Sequence, residues 1–165
     1  MGLCMIGWLE WKTMDKNWSG GFFMIQEYLS EELIQLDIQV EMREEVIDRL
    51  AELMEAKGIM ARNEDFLYNV FERERNGTTS MGSEIAIPYG TSKDVNRSAI
   101  AVARLIKPIY WDDGNPVSYV FLIAALKGEE TVLYSSLKEK LMDQKVREQL
   151  KIASTPVQVV SALQI

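Results

Sequence analysis

The stretch from Arg73 to Gly90 gathers residue types that bind anions. Arg73 offers a planar fork of N–H donors that matches a phosphate group, and the run Thr78-Thr79-Ser80 adds neutral donors. Gly82 and Gly90 allow the backbone to approach a ligand closely. The same composition also describes a helix end with an Arg73-Glu74 surface pair, followed by a polar loop and an apolar strand. Composition alone leaves both interpretations open.

The sequence contains no histidine, which excludes several kinds of chemistry. Ser-His-Asp and Cys-His nucleophiles, His-ligated metals, imidazole acid–base catalysis and phosphohistidine all require an imidazole. The single cysteine, Cys4, excludes an internal disulfide and a thiolate metal cluster, and it fits a reducing compartment. We therefore predict no metal site and no cofactor.

The charge balance argues against an extended nucleic-acid interface. The 165 residues include 18 Lys and Arg against 25 Asp and Glu, a formal net charge of −7, and 47% of them are apolar. This is the composition of one globular domain, and its acidity disfavours neutralisation of a phosphate backbone. Since the sequence also shows no signal peptide and no membrane-spanning run, we expect a cytoplasmic protein without direct nucleic-acid binding or membrane insertion.

Hydrophobic periodicity predicts an α/β order of elements around the Arg73 stretch. Apolar residues at helical spacing predict two helices before it, while continuous apolar runs after it predict buried strands. A mixed sheet sandwiched by helices fits this order. The predicted helices are 42–57, 64–76, 129–141, 144–152 and 155–163, and the predicted strands are 33–38 (an edge strand), 85–88, 99–105 and 117–126.

Local signals set several of these boundaries. Asn63 is the predicted N-cap of the second helix, and Thr155 before Pro156 is the predicted cap of the last one. Lys57-Gly58 indicates the end of the first helix. The segment 112–115 (Asp-Asp-Gly-Asn) resembles a calcium loop but lacks its downstream ligands, so we interpret it as a hairpin turn.

The first 23 residues differ from the rest, since they hold three of the four tryptophans and end in Gly20-Gly21. We expect a flexible N-terminal extension here, with residues 24–165 forming the folded domain. Two interpretations stay open for the extension. It is either an aromatic tail that docks on a partner or on its own domain, or a stretch upstream of a true start at Met24.

The Arg73 stretch resembles the fructose- and mannitol-type enzyme IIA domains of the bacterial sugar phosphotransferase system. Their motif is Arg-Glu, a Thr six residues after the Arg, a Gly three later, and then Ile-Ala-Ile/Val-Pro-His-Gly. This sequence has Arg73-Glu74, Thr79, Gly82 and the run 85–90 (Ile-Ala-Ile-Pro-Tyr-Gly) without insertion. The resemblance covers roughly residues 30–165. It implies the IIA fold, with a mixed sheet between helices.

The sequence departs from the family motif at both histidines. The family histidine that takes a phosphoryl group from the phosphocarrier HPr and passes it to an enzyme IIB cysteine corresponds to Tyr89. The second family histidine corresponds to Glu130, or to Thr131 if the match slips by one residue. Arg73 and Thr79 match the phosphate-binding positions, and we expect them to converge with Tyr89 and Glu130 around one shallow depression.

The replacement of both family histidines changes the function that we expect. A phenol, with a pKa near 10 against about 6.5 for imidazole, is a poor nucleophile at neutral pH without a base. The resemblance therefore implies a non-phosphorylatable enzyme IIA-like component that docks to HPr-like or IIB-like proteins, or a sensor domain like those of sugar-responsive regulators. The alternatives are an active phosphocarrier that uses Tyr89 or Glu130, and a phosphate-ligand binding module.

Overall fold

The computed structural model describes residues 25–164, in which one mixed sheet lies between two layers of helices. This confirms the predicted fold class. The predicted extension 1–23 lies outside the described residues. After a short 3-10 turn at Ile25–Tyr28, the helices are α1 (Arg43–Ala56), α2 (Glu64–Arg75), α3 (Glu130–Leu141), α4 (Gln144–Ile152) and α5 (Pro156–Ala162), and the strands are β1 (Leu29–Ile38), β2 (Ser80–Gly82), β3 (Ile85–Ala86), β4 (Tyr89–Thr91), β5 (Ala99–Tyr110) and β6 (Pro116–Ala125).

The sheet has the order β1-β5-β6-β3-β2, and β4 pairs with β6 beyond β3. β5 and β6 form an antiparallel hairpin, whereas β1 runs parallel to β5, and β3 and β4 run parallel to β6. β1 is an edge strand, as predicted. The turn at 112–115 joins β5 to β6, with the Gly114 N–H donating to the Trp111 carbonyl at 2.8 Å. The described residues contain no group of three or more His, Cys, Asp or Glu side chains placed to hold a metal.

Two hydrophobic cores cover the two faces of the sheet. One core packs α1 and α2 against the sheet, and the other packs α3, α4 and α5 against the opposite face. The central strands β5 and β6 contribute to both cores. Their nearly continuous apolar sequences follow from burial on both faces, as predicted. None of the helices within residues 25–164 combines the length and the hydrophobicity that a bilayer crossing needs.

The three predicted helix boundaries are confirmed. Thr155 caps α5 by accepting a hydrogen bond from the Gln158 N–H at 3.3 Å, and α1 ends before Gly58, whose φ is +78°. Asn63 is the N-cap residue of α2, as predicted, and its carbonyl accepts from the Leu67 N–H at 2.8 Å, but its side chain makes no capping hydrogen bond. Asn63 has helical backbone angles (φ −101°, ψ −5°), and a side-chain cap needs an extended residue at that position.

The strand predicted at 85–88 is shorter in the structure, since β3 ends at Ala86 and a further strand, β4, begins at Tyr89 after Ile87 and Pro88. Proline has no N–H for the ladder, but its carbonyl accepts from the Ile123 N–H at 2.9 Å, which keeps the chain beside β6. The segment predicted as a polar loop contains a further short strand, β2, which pairs antiparallel with β3. β5 also runs past Pro108 to Tyr110, five residues beyond its predicted end.

Gly90 allows α2 to approach β4 closely. A Cβ atom at this position would lie 2.8 Å from the Val70 Cγ2 atom and 3.3 Å from the Val70 backbone nitrogen. Both distances are shorter than normal carbon contacts. Only glycine therefore fits at position 90 beneath α2. The close packing sets the distance between the end of α2 and the sheet.

Candidate functional site

Helix α2 carries Arg73 to the edge of the sheet at which β4 begins. Phe66 and Val70 are fully buried, and they lie seven and three residues before Arg73. Residues at these spacings share one face of a helix, so the packing that buries Phe66 and Val70 also turns Arg73 toward the sheet. Tyr89 is the first residue of β4, directly before Gly90.

Arg73 and Tyr89 form a direct contact. The Arg73 Nε–H donates to the Tyr89 hydroxyl at 2.7 Å, and the guanidinium carbon lies 5.1 Å from the centre of the Tyr89 ring. Nη1 of the same side chain donates to the Gly77 carbonyl at 3.0 Å. This confirms the prediction that residues 73 and 89 lie together. The hydrogen bond to Tyr89 raises the pKa of Arg73, so the guanidinium stays charged.

A second tyrosine, Tyr134 of α3, completes the surroundings of Tyr89. The two ring centres are 4.9 Å apart, with an angle of 44° between the planes, and the Lys138 ammonium lies 5.7 Å from the Tyr134 ring. The aromatic pair thus lies between two cations, Arg73 and Lys138. The sequence analysis missed Tyr134. The available signal was its position four residues after Glu130, on the same face of a predicted helix.

Glu130, the first residue of α3, forms its hydrogen bond locally. Its carboxylate accepts from the Gly128 N–H at 2.8 Å. Within residues 25–164 no hydrogen bond joins Glu130 to Tyr89 or to Arg73. The contact that a general base for Tyr89 requires is thus not formed here. A functional role for Glu130 stays a prediction.

Thr79 lies below the surface beside Glu74, and both side chains are buried. The Thr79 hydroxyl donates to the Glu74 carboxylate, and the Thr79 backbone N–H donates to Glu74 Oε2 at 3.4 Å. The indole N–H of Trp111 also donates to Oε2, at 3.2 Å. The hydroxyl that the family resemblance assigns to phosphate binding is thus turned to an internal carboxylate, and its role toward phosphate stays a prediction.

Glu74 is the polar centre that sequence reasoning missed. Composition allows an exposed Arg73-Glu74 pair, but Glu74 is 3% exposed and its nearest cation is Arg43, at 3.9 Å. Burial raises the pKa of the Glu74 carboxyl, and the hydrogen bonds from Thr79 and Trp111 offset part of that rise. Arg73 therefore contacts Tyr89 near the surface, whereas its neighbour Glu74 is buried and forms hydrogen bonds in the core.

Comparison with known proteins places this chain in one family. Residues 27–164 match the family model described as "Phosphoenolpyruvate-dependent sugar phosphotransferase system, EIIA 2". The chain therefore belongs to the type 2 enzyme IIA family. The 2-O-alpha-mannosyl-D-glycerate-specific EIIABC component of Escherichia coli strain K12 is 35% identical over 128 residues, which are 73% of this chain and 20% of that protein. The chain spans about a fifth of the length of such multidomain relatives.

Solved structures agree with this assignment. The nitrogen regulatory protein IIA-Ntr from Neisseria meningitidis superposes with a TM-score of 0.75 at 28% identity, over 84% of this chain and 98% of that one. The mannitol enzyme IIA of E. coli, solved in complex with phosphorylated enzyme IIB, superposes with a TM-score of 0.72 at 24% identity. That superposition covers 82% of this chain and 96% of the other. At this identity, the similarity to the mannitol enzyme IIA shows a shared fold and nothing further.

Proposed function

We propose that this domain is a cytoplasmic enzyme IIA-like component of a sugar phosphotransferase system that docks to a phosphocarrier partner without being phosphorylated. The observation that carries the proposal is the 2.7 Å hydrogen bond from Arg73 to Tyr89. In this proposal Tyr89 occupies the position of the family's phosphorylated histidine. The guanidinium fork that would stabilise a transferring phosphoryl group is instead directed at a phenol and at the Gly77 carbonyl.

The lack of a base beside Tyr89 supports the same function. A phenol needs a nearby proton acceptor to attack phosphorus at neutral pH. Within residues 25–164, the only side chain that forms a hydrogen bond with the Tyr89 hydroxyl is Arg73, a cation that cannot accept the proton. An active phosphocarrier that uses Tyr89 is therefore disfavoured by the local chemistry. The names of relatives cover both transport and nitrogen regulation, and a domain without phosphoryl transfer fits a regulatory role best.

Two of the elements that contact β4, namely β6 and α3, carry exposed aliphatic side chains at or beside their ends. Leu126 follows β6 at the end that pairs with β4, and its side chain is 37% exposed. Val132, in the first turn of α3, is 41% exposed. Exposed aliphatic side chains of this kind can supply the apolar contacts of a protein interface. We propose that an HPr-like or IIB-like protein covers this face.

The test is a titration of the isotope-labelled domain with HPr and with enzyme IIB from the same organism, followed by NMR. We expect saturable shifts around Tyr89, Leu126 and α3. Val132→Ser should weaken binding about fivefold, because a contact of roughly 1 kcal/mol is lost. Ile106→Ser is the matched control, since Ile106 is 58% exposed at the far end of β5 and should leave affinity unchanged. Absence of binding by both proteins, or equal weakening by both variants, would contradict the proposed docking.

A further inference from the structure

A cavity of about 260 Å³ opens at the end of the sheet opposite Tyr89. Its walls come from the β2–β3 turn, from β5 and β6, and from α4. Tyr119, in its wall, precedes Ile123, the pairing partner of Tyr89, by four residues of β6. Four residues of a strand span roughly 13 Å, so the cavity is separate from the Arg73–Tyr89 contact.

The cavity is positively charged on an acidic protein. Three cations line it, namely Arg104, Arg147 and Lys151, against one carboxylate, Glu84. Arg104 is neutralised by Asp37, to which it donates through Nε at 2.9 Å and through Nη2 at 3.0 Å. In the described part of the chain, Arg147 and Lys151 form no ion pair. Since the whole chain has a net charge of −7, these two cations form a local field that attracts anions.

Arg147 is held in place while part of its guanidinium stays available. Its Nη1 donates to the Leu141 carbonyl at 2.9 Å and to the Met142 carbonyl at 2.7 Å, at the end of α3. Its Nε and Nη2 have no acceptor within residues 25–164. Lys151 lies four residues later on α4, so both cations share one face of the helix. Two adjacent cations, one of them pre-positioned, match a doubly charged phosphate group.

The remaining wall of the cavity is apolar or neutral. Ile85, Leu105 and Leu150 line its interior, and Tyr119 presents its ring, while its hydroxyl donates to the Leu150 carbonyl at 2.6 Å. Ser118 is at the rim and donates to Glu84 at 2.8 Å. A ligand for such a cavity must combine an anionic group with a small apolar or ring portion.

The backbone around the cavity is strained. Among the described residues, only three non-glycine residues have positive φ: Asp37 at 57°, Ser83 at 55° and Glu84 at 63°. Ser83 and Glu84 form the β2–β3 turn in the cavity wall, and Asp37 holds Arg104. Left-handed backbone is unfavourable for residues other than glycine and is concentrated at binding sites. All three strained residues therefore belong to this one region.

From these observations we infer that the cavity binds a phosphate monoester of a small apolar or ring-containing group. The phosphate contacts Lys151 and the open edge of Arg147, and the organic portion lies against Tyr119 and Leu150. This assigns the domain a small-molecule site in addition to its docking face. Binding at this cavity does not require any phosphoryl chemistry at Tyr89, which is not among the residues that line it.

Phenyl phosphate is a suitable probe, with phenol and inorganic phosphate as matched fragments. In NMR titrations of the labelled domain we expect phenyl phosphate to shift the amides of Ser83, Ser118 and Lys151 saturably, and to bind more tightly than either fragment. Failure to saturate, shifts confined to the Arg73 region, or equal binding of either fragment would overturn the assignment.

Matched variants locate the charge that matters. Lys151→Gln should weaken phenyl phosphate binding about fivefold, because one charge at close range to the phosphate is lost. Lys145→Gln removes the same charge from an exposed position of α4 outside the cavity and should leave affinity unchanged. Arg73→Gln should also have no effect. Equal weakening by the two lysine variants, or loss of binding in Arg73→Gln, would place the phosphate elsewhere and overturn the inference.

Discussion

At the scale of single residues, the hydrogen bond between Arg73 and Tyr89 is the central contact of the candidate site. It satisfies the Tyr89 hydroxyl with a permanent cation and gives the guanidinium a partner inside the chain. An imidazole at position 89 would instead supply a neutral nucleophile at physiological pH. In the proposed function, the side chain at position 89 therefore decides whether the docked domain can accept a phosphoryl group.

Replacement of this one side chain should restore chemistry. We expect Tyr89→His to be labelled slowly by phosphorylated HPr, because Arg73 remains beside it to stabilise the transferring group. Adding Glu130→His should increase the rate by removing a negative charge that repels the donor. Adding Arg73→Gln to Tyr89→His should lower the rate on the order of 10²-fold.

Intact-protein mass spectrometry measures this labelling. Tyr110→His is the matched control, since Tyr110 is 76% exposed at the end of β5 and a histidine there should stay unlabelled. If the Tyr89→His, Glu130→His double variant folds normally by circular dichroism yet is not labelled, the proposed docking to HPr is wrong.

The buried Glu74 carboxyl makes stability depend on pH. Because burial raises its pKa in the folded state, the folded protein holds this proton more tightly than the unfolded chain does. Its contribution to the free energy of unfolding is therefore complete below the unfolded pKa, near 4.5, and is lost as pH rises through the folded value. Glu74→Gln lacks this proton, and its amide can still accept from Trp111 while donating to the Thr79 hydroxyl.

Urea unfolding of both proteins at several pH values checks this dependence. We expect the stability of the original chain minus that of Glu74→Gln to fall as pH increases above about 4.5. Glu74→Leu, which leaves the Thr79 and Trp111 donors unpaired, should be roughly 1–3 kcal/mol less stable than Glu74→Gln at any pH. A difference between the original chain and Glu74→Gln that is constant or rises with pH would contradict the raised pKa.

At the scale of elements, the contact between α2 and β4 positions the candidate site. The helix passes so close to the strand that residue 90 has no room for a Cβ atom. This packing fixes the distance between α2 and β4, and therefore lets the Arg73 side chain contact Tyr89. The site is therefore a product of helix–sheet packing more than of the loop that joins the two elements.

Gly90→Ala tests this packing. The added methyl group would meet a helix backbone atom as well as the Val70 side chain, so we expect a loss of about 1–3 kcal/mol in the free energy of unfolding. Gly114→Ala provides a contrast, since a Cβ at Gly114 meets nothing within 4 Å and its cost arises from positive φ alone. A Gly90→Ala variant as stable as the original chain would show that α2 moves away easily.

The elements differ in how far the sequence predicted them. The helices and most of β5 and β6 were predictable, because each helix buries an apolar face and each of these strands contains a long apolar run. β1 was predicted only from residue 33, since Ser30, Glu31 and Glu32 interrupt its first half. β2 was not predictable, since Thr78, Thr79 and Ser80 are typical of a loop. Only pairing with β3 makes the segment Ser80–Gly82 a strand. The turn after β2 gave no signal either, because Ser83 and Glu84 have positive φ without being glycine or asparagine.

The candidate site was predictable in the same partial way. The spacing of the motif placed Arg73 beside Tyr89, and the structure agrees. The burial of Glu74 was hidden, because a charged residue next to an arginine at a helix end is usually exposed. Its partner Trp111 is 37 residues away in the chain, and only the fold brings the two together.

At the scale of the whole molecule, two surfaces with different chemistry lie at opposite ends of β6. The surface around Tyr89 contains an aromatic pair beside Arg73, whereas the cavity lined by Arg147 and Lys151 lies at the other end of the strand. A protein partner suits the first surface and a small anion suits the second. The absence of phosphoryl transfer is the claim that distinguishes the proposed function from that of an active enzyme IIA.

The most direct measurement of that claim is the intact mass of the chain after incubation with phosphoenolpyruvate, enzyme I and HPr. We expect no gain of a phosphoryl group, because the sequence has no imidazole and, within residues 25–164, no base forms a hydrogen bond with Tyr89. A stoichiometric gain that survives acid would show that a hydroxyl such as that of Tyr89 reacts. An acid-labile gain would point to a carboxylate such as Glu130, and either gain would contradict the account.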